Sequence, residues 1–204
     1  MNRVYFCRSE NFKDFYENGI ALLDEERRKK TERYVKKEDR ILSFMTGLML
    51  DKILNVSDEN GLLYGEYGKP YIENGKFFSI SHSGDIAVLA ISDNEIGIDI
   101  EKPREIDKNI IKRCFTDKEA EFTGSSSEKF IRIWTLKEAV SKLFGEGLSF
   151  GFNTFSVIPF EGLHAIKEKE IKFFISEIDG MPLSAAYVDN SDFEIEELFP
   201  NDFT

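Results

Sequence analysis

Phe77-Phe78-Ser79-Ile80-Ser81, Ile86-Ala87-Val88-Leu89-Ala90-Ile91-Ser92 and Glu95-Ile96-Gly97-Ile98-Asp99-Ile100-Glu101 follow one another in close order. Each run is rich in β-branched or aromatic side chains, and Asp93-Asn94 is a turn signal between the last two. Three short strands are predicted, closed by Pro103. The second half of the chain echoes them. Strand-like runs stand at 152–158, 171–177, 183–188 and 193–198. Phe78 and Phe174 lie 96 positions apart, Ile86 and Leu183 97, Glu95 and Phe193 98. Such a nearly constant offset points to an internal repeat. Upstream of the first run, 4–7 reads as a strand, and Phe12, Phe15, Tyr16 and Ile20 recur at helical spacing. Asp24 is placed to cap a charged helix. Ile41, Phe44, Met45, Leu48, Met49 and Ile53 mark a helix over 36–54. Two helices are predicted before the second set of strands, over 110–122 and 128–144. The fold class is therefore α+β: a pseudo-duplication in which residues 1–103 and 104–204 form similar halves, each with helices packed on a small antiparallel sheet.

With 204 residues, 41% hydrophobic and 32% charged, the chain reads as soluble and globular. A net charge of −11 disfavours nucleic acid as a partner. Basic residues are concentrated locally, in Arg27-Arg28-Lys29-Lys30. No apolar run is long enough for a membrane span, and the N-terminus lacks a secretory pattern. Cys7 and Cys114 read as free thiols. A cytoplasmic location follows as an expectation. With two His and two Cys, a zinc site is disfavoured; a metal here would be held by carboxylates, which suits Mg²⁺.

Four segments carry chemistry. In Gly97-Ile98-Asp99-Ile100-Glu101, alternation along a strand sends both carboxylates to one face, where they repel unless a cation intervenes. They read as a hard-oxygen chelate or as the polar face of an amphipathic strand. In Trp134-Thr135-Leu136-Lys137-Glu138-Ala139-Val140-Ser141-Lys142, residues Trp134, Glu138 and Lys142 share a helix face. Glu138 can join a metal shell and Lys142 can meet a phosphate; the plain alternative is an i,i+4 Glu–Lys pair. Ser79-Ile80-Ser81-His82-Ser83-Gly84 ends a strand in a turn able to cradle an anion. Ser81 and His82 point oppositely, which disfavours a nucleophilic dyad. Tyr64-Gly65-Glu66-Tyr67-Gly68-Lys69-Pro70-Tyr71 is a Gly/Pro loop.

Taken in order, Tyr67-Gly68-Lys69-Pro70, Phe78 to Gly84, Ile96-Gly97-Ile98-Asp99-Ile100-Glu101-Lys102, Trp134 to Lys142, and Gly145-Glu146-Gly147-Leu148-Ser149 resemble the surfactin-type 4′-phosphopantetheinyl transferases. The resemblance covers about residues 25–150. It implies a pseudo-dimeric α/β chain with the active site between the halves. It implies transfer of phosphopantetheine from coenzyme A to a serine of an apo carrier protein, acyl, peptidyl or polyketide, with Mg²⁺ as cofactor. Asp99, Glu101 and Glu138 would hold the metal, and Lys142 would face the pyrophosphate. His82, with Arg27 and Lys30 (aligned through Arg33-Tyr34), would meet the 3′-phosphate. Tyr67, Gly68, Lys69 and Pro70 would line the adenine, Ser81 would lie in the same pocket, and Ser43 near the phosphates. Glu138, Lys142 and Glu119 would be the catalytic set, Glu119 as the carboxylate that takes the serine proton. The segment 108–118, with Lys112, Arg113 and Phe115, is the expected carrier-docking surface, equally readable as a solvated helix face. A chain holding both halves is expected to be a monomer. A coenzyme A binder without activity and a Mg²⁺-dependent pyrophosphohydrolase remain alternatives on the residues alone.

Overall fold

The computed structural model describes residues 1–56 and 61–204 and, at Leu148, the backbone alone. The first strand, β1 (Asn2–Arg8), is followed by two single turns of helix, α1 (Ser9–Phe12) and α2 (Tyr16–Gly19). Helix α3 (Glu25–Glu32) starts where the Asp24 side chain accepts the Arg27 amide at 2.7 Å. Helix α4 (Lys37–Leu54) presents Ile41, Phe44, Met45, Leu48 and Met49 as one buried stripe and stops at Asn55, which takes the left-handed conformation. A two-stranded pair, β2 (Leu63–Tyr64) and β3 (Pro70–Tyr71), leads into β4 (Phe77–Ser83), β5 (Ile86–Ser92) and β6 (Ile96–Ile100).

The helix expected over 110–122 is two helices, α5 (Lys108–Cys114) and α6 (Asp117–Thr123). Thr116 is extended between them and forms a capping box with Glu119, a signature that ends one helix and starts another. Helix α7 (Ser127–Phe144) begins on the Ser126 cap and ends at Gly145. The strand expected over 152–158 is instead a 3₁₀ turn over Phe152–Thr154 followed by unpaired extended chain. The Lys137 ammonium takes the carbonyls of Phe152 and Phe155 at 2.7 and 2.9 Å, so these carbonyls serve no strand partner. Strands β7 (His164–Ile166), β8 (Lys169–Ile178), β9 (Met181–Tyr187) and β10 (Phe193–Glu197) complete the chain.

The strands form two four-stranded sheets, ordered β10-β1-β5-β4 and β6-β9-β8-β7. In each run of three, the last strand leaves its neighbours: β6 joins β9, and β10 joins β1. The second sheet is purely antiparallel, as expected, but the first is not. The β1–β10 ladder is parallel, an arrangement that needs a long connection, and here nearly the whole chain supplies it.

Alternation along β1 explains the layering. Tyr5 and Cys7 face α4, whereas Val4 and Phe6 face the second sheet. Strand β5 is apolar from Ile86 to Ile91 because both faces are buried, Ala87 and Leu89 under α4 and Ile86, Val88 and Ala90 between the sheets. Ile96, Ile98 and Ile100 of β6 enter that same middle layer. Helix α7 covers the far side of the second sheet through Phe130, Ile133, Leu136 and Val140. The result is helix, sheet, sheet, helix. Among the described residues no helix is long and apolar enough to cross a membrane.

Candidate active site

Where α7 crosses β6, glycine is a requirement. A Cβ on Gly97 would lie 2.0 Å from the Ala139 carbonyl oxygen and 2.4 Å from the Leu143 nitrogen. With isoleucines 96, 98 and 100 turned to the middle layer, Gly97, Asp99 and Glu101 share the opposite face, under α7. The close approach at Gly97 therefore brings the Asp99 and Glu101 strand against the helix face bearing Trp134, Glu138 and Lys142.

Strand β4 closes the other flank through its alternate serines. Ser79 Oγ accepts the Ile98 amide at 3.0 Å and Ser83 Oγ accepts the Lys102 amide at 2.9 Å. Between them Ser81 Oγ donates to Asp99 Oδ1 at 2.8 Å. Hydroxyls thus satisfy amides of β6 that no strand pairs on that edge, and they tie the two sheets together at the site. The period-2 repeat of serine at 79, 81 and 83 carried this signal; only Ser81 was read as a site residue from the sequence.

Asp99 is buried. Its Oδ1 also accepts from the Lys142 ammonium at 2.6 Å, while Oδ2 has no hydrogen-bond partner among the described residues. Lys142 donates as well to Ser81 Oγ at 2.8 Å. Glu101 accepts from Trp134 Nε1 at 3.0 Å and from Ser83 Oγ at 3.2 Å. Burial raises the Asp99 pKa, opposed by Lys142 and reinforced by Glu101. Burial, then the charges of Asp99 and Glu101, raise Glu138 to about 7, with Lys142 and Arg104 pulling the other way. Burial and neighbouring negative charge thus disfavour ionisation of both Asp99 and Glu138 under α7. Among the described residues no three His, Cys, Asp or Glu side chains are gathered tightly enough to hold a metal ion; Lys142 and Trp134 take up part of the carboxylate capacity. The donor set is nonetheless all carboxylate oxygen, with no nitrogen or sulfur ligand among Asp99, Glu101 and Glu138, and it fits a hard divalent cation.

A cavity of about 250 Å³ opens beside these groups. Its walls are Tyr67, Gly68, Lys69 and Pro70 on one side, Phe78 to Ile80 on another, and Glu138, Ser141, Lys142, Gly145 and Gly147 on a third. Motifs far apart in sequence therefore line one space. Lys69 contributes its stem only: its ammonium donates to the carbonyls of Leu143 at 2.9 Å and Ile96 at 3.4 Å, capping α7. Burial lowers its pKa to about 8.

Positive groups converge nearby. His82 is exposed by surface area, yet the protein packed around it and then Lys142 lower its pKa, Asp39 opposes them and Lys30 adds to the fall, which favours the neutral imidazole. Burial and then Arg27 likewise lower Lys30. Arg27, Lys29, Lys30 and Arg33, together with Asp24, Glu25 and Glu26, line an open groove of about 940 Å³ along α3. Ser43 does not face it as a free hydroxyl; it bonds Thr31 at 2.8 Å and so fixes α3 on α4.

Two expectations are corrected. Glu119 is fully buried and lies inside the second half. Its Oε1 accepts the Val157 amide at 2.8 Å, and its Oε2 accepts the Thr116 amide at 2.7 Å and pairs with Lys137 at 2.9 Å. With its acceptor positions taken and no path to solvent, it cannot receive a proton from a docked serine. Its buried partner Lys137, unassigned from the sequence, anchors the 152–155 turn to α7. In the expected docking segment, Lys112, Arg113 and Lys118 are exposed, but Phe115 is buried and stacks on Phe130 with ring centres 5.7 Å apart. Cys7 and Cys114 are free, as read from the sequence.

A sequence model of the 4′-phosphopantetheinyl transferase superfamily matches residues 95–184, the stretch that contains β6 and α7. Among curated proteins, the 4′-phosphopantetheinyl transferase Sfp of Bacillus subtilis (strain 168) is 31% identical over 153 residues, 69% of this chain and 68% of its own length. A second 4′-phosphopantetheinyl transferase of Bacillus subtilis is 34% identical over 150 residues, 68% of this chain and 67% of its own. The 4′-phosphopantetheinyl transferase gsp of Aneurinibacillus migulanus is 36% identical over 133 residues, covering 60% of this chain and 56% of that relative. With its Asp99–Glu101 strand and its Trp134–Lys142 helix brought face to face, this chain belongs to the 4′-phosphopantetheinyl transferases of the surfactin type.

Proposed function

We propose that the protein transfers 4′-phosphopantetheine from coenzyme A to a serine of an apo carrier protein, acyl, peptidyl or polyketide, and releases adenosine 3′,5′-bisphosphate. The observation that carries this reading is the shared cavity, in which Tyr67 to Pro70 faces Glu138 and Lys142 beside Asp99. Coenzyme A offers a flat base, a 3′-phosphate and a diphosphate; the loop, the His82–Lys30–Arg27 cluster and Lys142 are suited to them in that order. Asp99, Glu101 and Glu138 are the residues to hold Mg²⁺, which when bound supplies charge neutralisation at the diphosphate.

The transfer itself needs orientation and charge stabilisation more than covalent help. The serine oxygen forms a bond to the β-phosphorus while the bond from that phosphorus to the bridging oxygen breaks, and the bisphosphate departs. Lys142 stands where the departing charge develops. The serine proton passes to a neighbouring carboxylate or to solvent as the new bond forms. The offset between the strand runs and the exchange of β6 and β10 support a pseudo-duplicated chain with halves 1–103 and 104–204. A chain that already brings both halves together is read as a monomer, and the two free thiols as cytoplasmic.

The test is to incubate the protein with coenzyme A, Mg²⁺ and an apo carrier and weigh the carrier. A gain of one phosphopantetheinyl group is expected. Coenzyme A cleavage with an unmodified carrier, or binding without turnover, contradicts the assignment.

A further inference from the structure

Ser184 has no assigned part in this chemistry. It lies on β9, between Leu183 and Ala185, which both enter the layer between the sheets. Alternation turns Ser184 the other way, toward α7. It is the direct cross-strand partner of Asp99 in the β6–β9 ladder, so the two side chains rise from the same face. Ser184 is fully buried, and its Oγ has no hydrogen-bond partner among the described residues. The oxygen of Asp99 that Lys142 and Ser81 leave alone, Oδ2, is also buried and unpartnered. Two orphan polar atoms therefore sit on neighbouring positions of one ladder rung.

A buried hydroxyl left unpaired costs about 1–3 kcal/mol. An alanine would avoid that, and alanine stands at 185 and 186 of the same strand. Cβ atoms of a cross-strand pair are about 4.5–5.5 Å apart, so side-chain rotation alone brings a hydroxyl to a carboxylate oxygen. We propose that Ser184 is a positioning residue for Asp99: its hydroxyl donates to Oδ2 and fixes the plane of the carboxylate that would hold a divalent cation. The inference rests on the metal-ligand reading of Asp99. Lys142 and Ser81 hold the carboxylate through Oδ1 only, and the Ser184 hydroxyl would supply the hold on the other oxygen.

The test is Ser184→Ala, alone and in an Asp99→Asn background, with two readouts. The first is the rise in melting temperature that Mg²⁺ and coenzyme A give over the free protein; the second is kcat against Mg²⁺ concentration. Ser184→Ala is expected to melt at or above the wild-type temperature when free, to lose most of the ligand-induced rise, and to need about 10- to 100-fold more Mg²⁺ for half-maximal rate, the usual effect of removing a group that orients a metal ligand. In the Asp99→Asn background the same substitution is expected to change nothing further. A Ser184→Ala protein with a wild-type ligand-induced rise and Mg²⁺ dependence overturns the proposal, as does an undiminished effect in the Asp99→Asn background. If the wild type shows no carrier modification at all, the transferase reading fails, whereas the thermal readout still decides the Ser184–Asp99 coupling.

Discussion

Glu119→Gln separates the two readings of Glu119 more cleanly than any other change. As a catalytic base, Glu119 would matter to rate and little to stability. The structure assigns the reverse. The carboxylate is fully buried, neutralises the equally buried Lys137 at 2.9 Å, and accepts the amides of Thr116 and Val157. Glutamine keeps the volume but removes the charge, and it sets an NH₂ against donors that had an acceptor. Stripping one partner from a buried pair costs about 3–5 kcal/mol, because the remaining charge has no counter-ion. For a chain of about 150–250 residues, each kcal/mol shifts the melting temperature by about 2–4 °C, so a fall of roughly 6–20 °C is expected. Calorimetry at neutral pH reads this directly. Lys137→Met in the same background should recover part of the loss, since no lone charge then remains. Transfer measured in the cold, where both proteins are folded, should stay within a small factor of wild type. A Glu119→Gln protein that melts like wild type yet transfers nothing would refute this structural role and restore Glu119 as the base.

Gly97→Ala should disrupt stability and transfer together, because its Cβ would lie 2.0 Å from the Ala139 carbonyl and must push α7 off β6; a variant with normal melting and rate contradicts that packing. Trp134→Phe removes the Nε1–H that holds Glu101 at 3.0 Å, and should raise the Mg²⁺ requirement about tenfold while circular dichroism stays unchanged; an unaltered Mg²⁺ titration sinks the orienting role. Lys69 titrates at about 8 in the folded chain and near 10.5 unfolded. Between these values the unfolded state binds more protons, so its contribution to stability rises with pH across that window. Lys69→Met should lack that rise, and parallel stability–pH profiles for the two proteins would contradict the lowered pKa.

What the sequence made legible has a physical limit. Patterns of period 2 and 3.6 are local, so β4, β5, β6, α4 and α7 could be read from residues in contact along the chain. Partner choice is not local: nothing in Ile96–Ile100 says that it pairs with β9 rather than β5, and nothing in Phe193–Glu197 says that it lies parallel to β1. Residues 152–158 look like a strand by composition, but the buried ammonium of Lys137, 15 and 18 positions upstream, claims the carbonyls of Phe152 and Phe155. The carboxylates Asp99, Glu101 and Glu138 and the cation Lys142 were legible as a site because a strand and a helix each display them on one face. Glu119 was misread because a helix-surface Glu and a capping-box Glu differ only in what packs above them. In hindsight Thr116-x-x-Glu119 carried that signal, as did Ser79-x-Ser81-x-Ser83 for the seam between the sheets.

The most direct test of the site is a crystal of the protein grown with coenzyme A and Mn²⁺ in place of Mg²⁺, in which anomalous scattering locates the cation. One peak is expected among the carboxylates of Asp99, Glu101 and Glu138, next to the diphosphate, with Lys142 drawn away from Asp99. A peak elsewhere, or coenzyme A bound with Lys142 still on Asp99 and no cation between the carboxylates, would contradict the assignment.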